Sequence, residues 1–197
     1  MKKYINLTCA LIVFLSTTSF QNGDILCDSK TLKEKAKSAL GPYKYDSSEL
    51  TRIIYKKTET VKEIEIPLFI GEKEGQKFYI APIRGKGLWD AIWAYVAMDK
   101  DMVVLGAYFD HKGETPGLGA NIKERFFMDD FVGEHLMSNG IFKGITVSKS
   151  NGDPKNEDKK DNEVDAIAGS TITGDGVTAM LRSELQLYVP YFKNLKN

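Results

Sequence analysis

The chain begins with a short apolar run that is flanked by charge and by small polar residues. Lys2 and Lys3 precede apolar residues 5–15, and a serine- and threonine-rich stretch follows. This order is the layout of an export signal. Extension of the run to Phe20 gives a weak transmembrane anchor that leaves the lysines in the cytoplasm. Both interpretations of residues 1–20 place the rest of the chain outside the cytoplasm.

Residues 21–60 are expected to form a membrane-proximal helix and a lead-in to the domain. The helix is predicted at residues 28–40, which hold good helix formers and an apolar face. Asp28 or Ser29 fits its N-cap, and Gly41 and Pro42 end it. The pattern indicates a stalk that leads from the membrane.

Alternation of polar and apolar residues then predicts four strands. They are residues 61–70, 77–83, 88–98 and 102–109, with turns at 71–75 and 99–101. The strand at 88–98 is apolar on both alternating faces, as expected of a central strand that is covered on both sides. It forms an antiparallel pair with the strand that follows.

The remaining residues predict helices packed against this sheet. Residues 124–136 and 174–192 read as helices, 144–149 as a strand, and the charged residues 150–163 as a long exposed loop. The apolar side of the last helix carries Val177, Met180, Leu181, Leu185 and Tyr188. The order of elements predicts an α+β fold for residues 61–197, an antiparallel sheet with packed helices.

Composition narrows the function classes. Lys+Arg and Asp+Glu are 27 each, so no net charge points to nucleic acid as a partner. Cys9 lies in the N-terminal apolar run, which leaves Cys27 alone in the exported part. No intrachain disulfide is therefore expected there.

A hydroxyl-rich segment at residues 165–173 leads into the last predicted helix. Ser170, Thr171 and Thr173 follow Gly169. The first N–H groups of a helix are unpaired and its positive end attracts anions, so this segment suits a phosphate. Gly169 allows a ligand to approach the backbone closely. A capped helix start, with Thr171 or Thr173 as the N-cap, explains the same residues.

A glycine-rich loop covers residues 113–119. Pro116 and Gly117 fit the two centre positions of a type II turn. Leu118 would then project between Gly117 and Gly119, where the loop offers N–H groups and one apolar side chain to a flat ring. A turn without a ligand is the alternative.

A third segment, residues 85–89, combines glycines with Trp89 at the opening of the predicted central strand. An indole there could form a wall beside a ring. Trp89, Trp93 and Tyr95 also fit positions in the hydrophobic core.

In this order and spacing, the three segments resemble the C subunit of the Na+-translocating NADH:quinone oxidoreductase. Less closely, they resemble the G subunit of the related Rnf complex. The likeness runs from about Gly85 to Tyr191. The family motif is Asp, two variable residues, Ser or Thr, Gly, Ala and Thr, and its last threonine bears FMN through a phosphoester. On this sequence the acceptor is Thr171, the glycine is Gly169 and the leading acid is Asp165.

Two positions depart from the family motif. Ala168 stands where the family has a hydroxyl residue, and Ser170 stands where it has alanine. The acceptor hydroxyl remains, and Ser170 is an alternative acceptor. Residues 114–119 match the family's flavin-contacting loop without departure.

The resemblance implies an electron-transfer flavoprotein with FMN bound covalently to Thr171. The cofactor-binding residues it implies are Glu114, Thr115, Gly117, Leu118, Gly119, Gly169, Ser170, Thr173 and Trp89. Glu114 would fix the loop or hydrogen-bond the flavin, and Lys149 could offset the phosphate charge or be solvated. No catalytic and no metal-binding residue is expected.

The resemblance also implies partners. A Mg-dependent flavin transferase would use FAD as donor, attach FMN and release AMP. The other subunits of a membrane oxidoreductase would be the partners in electron transfer, with the domain on the periplasmic side of the inner membrane. No nucleotide-binding motif occurs, so the chain is not expected to oxidise NADH alone.

Two other functions fit the sequence. A free-standing exported FMN-binding carrier would feed electrons to an extracytoplasmic reductase, which the short N-terminal apolar run favours. A cofactor-free binding or structural domain is supported by the departures at Ala168 and Ser170.

Overall fold

The computed structural model describes residues 47–57, 62–73, 75–150 and 156–195. The predicted signal or anchor at residues 1–20 and the predicted helix at residues 28–40 lie outside these ranges. None of the described helices combines the length and the apolarity needed to cross a bilayer.

A five-stranded antiparallel sheet forms the centre of the domain, with its strands side by side in chain order. The strands are β1 (Ser47–Lys57), β2 (Lys62–Lys73), β3 (Gln76–Lys86), β4 (Ala91–Met98) and β5 (Val104–His111). The four predicted strands are confirmed as β2 to β5. The predicted turn at 71–75 is shorter than expected because β2 continues to Lys73, and residues 88–90 bend before β4 begins.

The first strand was not expected from the sequence pattern. β1 lies within residues 21–60, where a helix and a lead-in are predicted, and it pairs with β2 along its whole length. Its apolar residues do not alternate strictly, and pairs such as Ile53 with Ile66 define the strand. Pairing across the sheet therefore determines this element more than its local pattern does.

β4 is apolar and buried on both faces, as predicted. Ala94 and Val96 point to one side of the sheet, and Tyr95 and Ala97 point to the other. All four side chains are buried. The inner face meets the helices, so the main core lies between the sheet and the segments that follow β5.

The predicted helix at residues 124–136 is wrong beyond its first turns. A 3₁₀ turn at Gly119–Lys123 leads into α1, which spans only Arg125–Asp130. The chain then turns back to the edge of β5, because Gly133 donates its N–H to Val104 O at 2.8 Å and Val104 donates to Glu134 O at 2.8 Å. Pairing with the sheet edge thus takes the place of further helical hydrogen bonds.

Four two-residue strands lie between α1 and the last helices. They are β6 (Met137–Ser138), β7 (Ile141–Phe142), β8 (Thr146–Val147) and β9 (Glu163–Val164). β8 and β9 pair in parallel. The predicted strand at residues 144–149 is therefore reduced to β8.

The last predicted helix begins earlier than expected and is interrupted. α2 spans Thr171–Leu185, a 3₁₀ turn covers Gln186–Tyr188, and α3 spans Val189–Asn194. The predicted apolar side is buried from Val177 to Tyr188. α2 lies so close to β3 that a Cβ built on Gly85 would be 2.6 Å from Met180 Cβ.

The loop before the hydroxyl-rich segment is attached to α1 by buried polar contacts. The Asn156 amide and the Lys159 ammonium both donate to Asp130 O, at 2.9 and 2.8 Å. Residues 150–163 were expected to form a long exposed loop, of which residues 151–155 lie outside the described ranges. Glu157 and Asp158 are exposed, whereas Asn156 is buried and makes this contact.

Lys159 also faces a carboxyl group inside the protein. Its Nζ is 3.6 Å from Glu134 Oε1, and the Glu134 side chain is 0% exposed. Burial raises the pKa of Glu134 from 4.5 to about 7, although Lys159 and Asn156 act in the opposite direction. This carboxyl therefore imposes a pH-dependent cost on the fold.

Candidate functional site

The loop after β5 forms the turn that the sequence predicts. Leu118 donates its N–H to Thr115 O at 3.1 Å, which closes the turn around Pro116 and Gly117. Gly117 has φ of 75°, the value that the third position of a type II turn requires. Leu118 projects from the turn with 41% of its surface exposed. An apolar side chain is thus presented to solvent by a well-defined backbone.

Glu114 connects this loop to the other two predicted segments. Its side chain is buried, and Oε2 accepts a hydrogen bond from the Thr173 hydroxyl at 2.6 Å. Oε1 accepts from the Trp89 N–H at 3.0 Å. Three segments that are far apart in the sequence therefore meet at one carboxylate.

Glu114 is ionised in this position. Burial alone would raise its pKa, but hydrogen bonds from the Thr173 hydroxyl and from the backbone at Trp89, Asp90 and Leu88 outweigh burial and lower the pKa below its ordinary value. The site therefore contains a fixed negative charge.

Trp89 lies beside the loop and outside the core. Its indole N–H donates to Thr115 Oγ1 at 3.1 Å, while 66% of the residue is exposed. The sequence also allowed core positions for Trp93 and Tyr95. Tyr95 is in the core, and Trp93 is half-buried. The exposed indole ring is thus next to the turn.

His111 supports the loop from the end of β5. Its Nδ1 accepts a hydrogen bond from the Glu114 N–H at 3.1 Å. This contact orients the residue that joins the three segments, and a lone histidine in the sequence carries no signal for it.

The hydroxyl-rich segment places its three hydroxyl groups in different environments. Thr173 is buried and bonded to Glu114, whereas Ser170 is buried and its Oγ has no hydrogen-bond partner among the described residues. Thr171, the first residue of α2, is exposed. Of these three hydroxyls, the one at Thr171 is open to a reagent from outside.

The start of α2 lacks an ordinary side-chain cap. Ser170 occupies the N-cap position, and its side chain makes no capping hydrogen bond. The first intrahelical bond runs from the Gly174 N–H to Ser170 O at 2.9 Å. Helix geometry leaves the preceding N–H groups available to an anion, and the alternative of Thr171 or Thr173 as N-cap is wrong.

Two cavities border Thr171, and Gly169 and Ser170 also line both of them. The first, of about 300 Å³, lies against the loop and is lined mainly by Leu88, Glu114, Leu118, Ser170 and Ile172. The second, of about 250 Å³, is lined by residues 147–150 and 166–171 and by Gly174. Thr171 lines both cavities.

Gly169 brings the helix start and the loop into contact. It has φ of 70°, and a Cβ built on it would lie 2.8 Å from Leu118 Cδ2. A side chain at this position would therefore push Leu118 away, in addition to the strain of the backbone conformation.

Two residues that line the loop-side cavity were missed from the sequence. Leu88 is 41% exposed and Ile172 is 59% exposed, and both line the cavity that faces the loop. Their neighbours Trp89 and Thr171 carried the recognisable chemistry, while an isolated aliphatic residue carries no signal. Lys149 lines the other cavity, where its Nζ is 3.7 Å from Asp175 Oδ2.

Comparison with known families adds a direct observation. The sequence pattern of one family, described as FMN-binding domain, matches residues 87–186. This range includes the segments at 113–119 and 165–173 in full and residues 87–89 of the segment at 85–89. The chain belongs to the FMN-binding domain family. The resemblance predicted from the sequence is thereby confirmed.

Individual relatives of this FMN-binding domain protein share one name, the C subunit of Na(+)-translocating NADH-quinone reductase. The protein from Neisseria meningitidis is 33% identical over 141 residues, which are 69% of this chain and 52% of that protein. The protein from Chlamydia muridarum is 36% identical over 137 residues, covering 60% of this chain and 42% of that protein. The chain spans about half the length of the curated relatives it matches.

Solved structures agree with the fold. The C subunit from Parabacteroides distasonis is 32% identical with a TM-score of 0.59, over 73% of this chain and 78% of that chain. NqrC from Shewanella oneidensis, at 24% identity and a TM-score of 0.56 over 85% of this chain and 77% of that chain, shows a likeness of fold.

The described residues fit an FMN group. A flat ring needs apolar side chains on an open cavity, which Leu88, Leu118 and Ile172 provide beside Thr171. A phosphate needs donors, and the buried Ser170 hydroxyl is without a partner among the described residues at the N-terminus of α2. Both requirements are met beside one exposed threonine.

Proposed function

We propose that this chain carries FMN covalently on Thr171, through a phosphoester, and serves as an electron-transfer flavoprotein. One observation carries the proposal. Thr171 is the exposed hydroxyl of its segment, stands at the first position of a 15-residue helix and borders both cavities.

Residues on the two sides of Thr171 would have different tasks. Ser170 and the first N–H groups of α2 would hold the phosphate, and Lys149 would offset its charge. Leu88, Leu118 and Ile172 would contact the ring, beside the exposed indole of Trp89. When bound, FMN supplies the ability to accept and donate electrons, while the protein supplies position and electrostatics.

Gly117 and Thr115 have supporting roles in this proposal. Gly117 gives the turn its shape, and the Thr115 hydroxyl holds the Trp89 indole. Thr173, expected to hold the phosphate, has its hydroxyl directed to Glu114 instead. We therefore assign Thr173 to loop positioning.

The names of the relatives support a place in a membrane complex. We propose that the chain acts as the C subunit, or a close relative of it, in a Na+-translocating NADH:quinone oxidoreductase on the periplasmic side of the inner membrane. Its partners would be the other subunits and, during maturation, a flavin transferase that uses FAD. The chain would pass electrons without oxidising NADH itself.

Intact-mass analysis tests the covalent bond. Protein from a host that has the flavin transferase is expected to be yellow after denaturation and heavier than the polypeptide by one FMN minus one water. Thr171→Ala removes the acceptor oxygen, so colour and added mass should both be lost.

Ser170→Ala is the matched control, one residue away. It should retain the added mass, because its buried hydroxyl is not the acceptor. Added mass that persists in Thr171→Ala and disappears in Ser170→Ala would move the attachment to Ser170. Wild-type protein with the mass of bare polypeptide would end the proposal.

A further inference from the structure

Glu114 is the one ionisable side chain among the described residues that line the loop-side cavity. It is 4% exposed, and none of the ion pairs among the described residues includes it. Its charge is balanced by hydrogen-bond donors rather than by a cation. A buried negative charge of this kind acts strongly on any group beside it.

The backbone is shaped around this carboxylate. A Cβ built on Gly87 would lie 2.5 Å from Glu114 Oε1, and a Cβ built on Gly119 would lie 2.6 Å from Glu114 Oε2. Two glycines therefore leave room for the carboxylate between the segment before β4 and the loop. The carboxylate is thus held between Gly87 and Gly119.

Reduction of a flavin ring adds negative charge. The ring takes up two electrons and, near neutral pH, one proton, so the reduced form carries one more negative charge than the oxidised form. A fixed carboxylate next to the ring opposes this change.

We propose that Glu114 is a positioning residue for the loop whose buried charge also lowers the reduction potential of the FMN carried on Thr171. This inference rests on the proposed function. The hydrogen bonds of Glu114 hold the three segments in place, and its charge disfavours the reduced ring.

Glu114→Gln separates the two tasks. The amide has the same shape; its oxygen can accept from the Trp89 N–H and its NH₂ can donate to the Thr173 hydroxyl oxygen. These two contacts are kept and the charge is removed. Thr173→Ser is the matched control, because it removes a buried methyl group beside the carboxylate and keeps the hydroxyl that donates to Glu114.

The experiment is a potentiometric titration of the purified, flavin-loaded full chain, with intact mass measured on each variant. Glu114→Gln is expected to keep its covalent flavin and to favour the reduced state at least tenfold more than wild type. Tenfold corresponds to a rise of about 30 mV for a two-electron couple. Thr173→Ser and Glu114→Asp, which retain the charge, should stay within about threefold of wild type.

A flavin-loaded Glu114→Gln whose equilibrium lies within about threefold of wild type overturns the proposal. So does an equal rise in Thr173→Ser, since lost packing and not lost charge would then explain the effect. Failure of Glu114→Gln to fold or to carry flavin, while Glu114→Asp does both, also contradicts the proposal, because the charge would then serve the fold. Wild-type protein without flavin would instead contradict the proposed function.

Discussion

The buried carboxyl of Glu134 gives a prediction whose size follows from the structure. Its side chain is 0% exposed, and its pKa in the folded protein is about 7 against an ordinary value of 4.5. At about 1.4 kcal/mol for each pK unit, the difference corresponds to about 3 kcal/mol. Glu134→Gln replaces the carboxyl with a neutral group of the same shape and should remove the contribution of this group to the pH dependence of the free energy of unfolding.

The direction in which stability changes with pH follows from the protons bound in each state. Between pH 4.5 and about 7 the folded protein keeps a proton on Glu134 that the unfolded chain has released. The unfolded state thus binds fewer protons, and this group makes the stability fall as the pH rises through that window. Above it the full cost is present, and below it the cost disappears.

Urea unfolding of the full chain at about pH 5 and about pH 8 measures the effect. The variant Glu134→Gln should be more stable than wild type by about 1 kcal/mol or less at the lower pH, where the cost has only begun to develop, and by about 3 kcal/mol at the higher pH. Glu124→Gln, on an exposed side chain at the start of α1, is the control. If the free energies of unfolding of wild type and Glu134→Gln differ by the same amount at both pH values, the argument is refuted.

Two further predictions concern the turn and the core. Gly117→Ala should lower the free energy of unfolding by roughly 1–2 kcal/mol, because φ of 75° is strained for alanine and nothing else lies near the new methyl group; an unchanged urea midpoint would contradict this. Tyr188→Phe should cost about 1–2 kcal/mol, since the Tyr188 hydroxyl lies 2.9 Å from Pro67 O and 3.2 Å from Pro82 O. Thermal or urea unfolding would show the loss, and wild-type stability would disprove it.

Features that depend on neighbouring residues could be predicted from the sequence. The strands β2 to β5 follow from alternation, and the turn at Pro116 and Gly117 follows from residues that have few other conformations. The presence of the last helix follows in the same way from its apolar spacing, although it begins at Thr171, three residues earlier than the spacing predicts.

Features that depend on contacts between distant residues could not be predicted from the sequence. Glu114 and Thr173 are separated by 59 positions, and no local pattern indicates that one accepts a hydrogen bond from the other. α1 ends where its chain pairs with Val104 at the sheet edge, although the apolar spacing continues. In both cases the tertiary structure offers a hydrogen bond that the local sequence does not encode.

The packing of α2 has a consequence for how the domain would exchange electrons. The helix begins at Thr171 and is fixed to the sheet through Val177, Met180 and Leu181, all buried. A group attached to its first residue has its anchor point set by the core and cannot swing on a long tether. A change in the distance between this anchor point and a donor or an acceptor would then require the domain and that partner to move relative to each other as whole bodies.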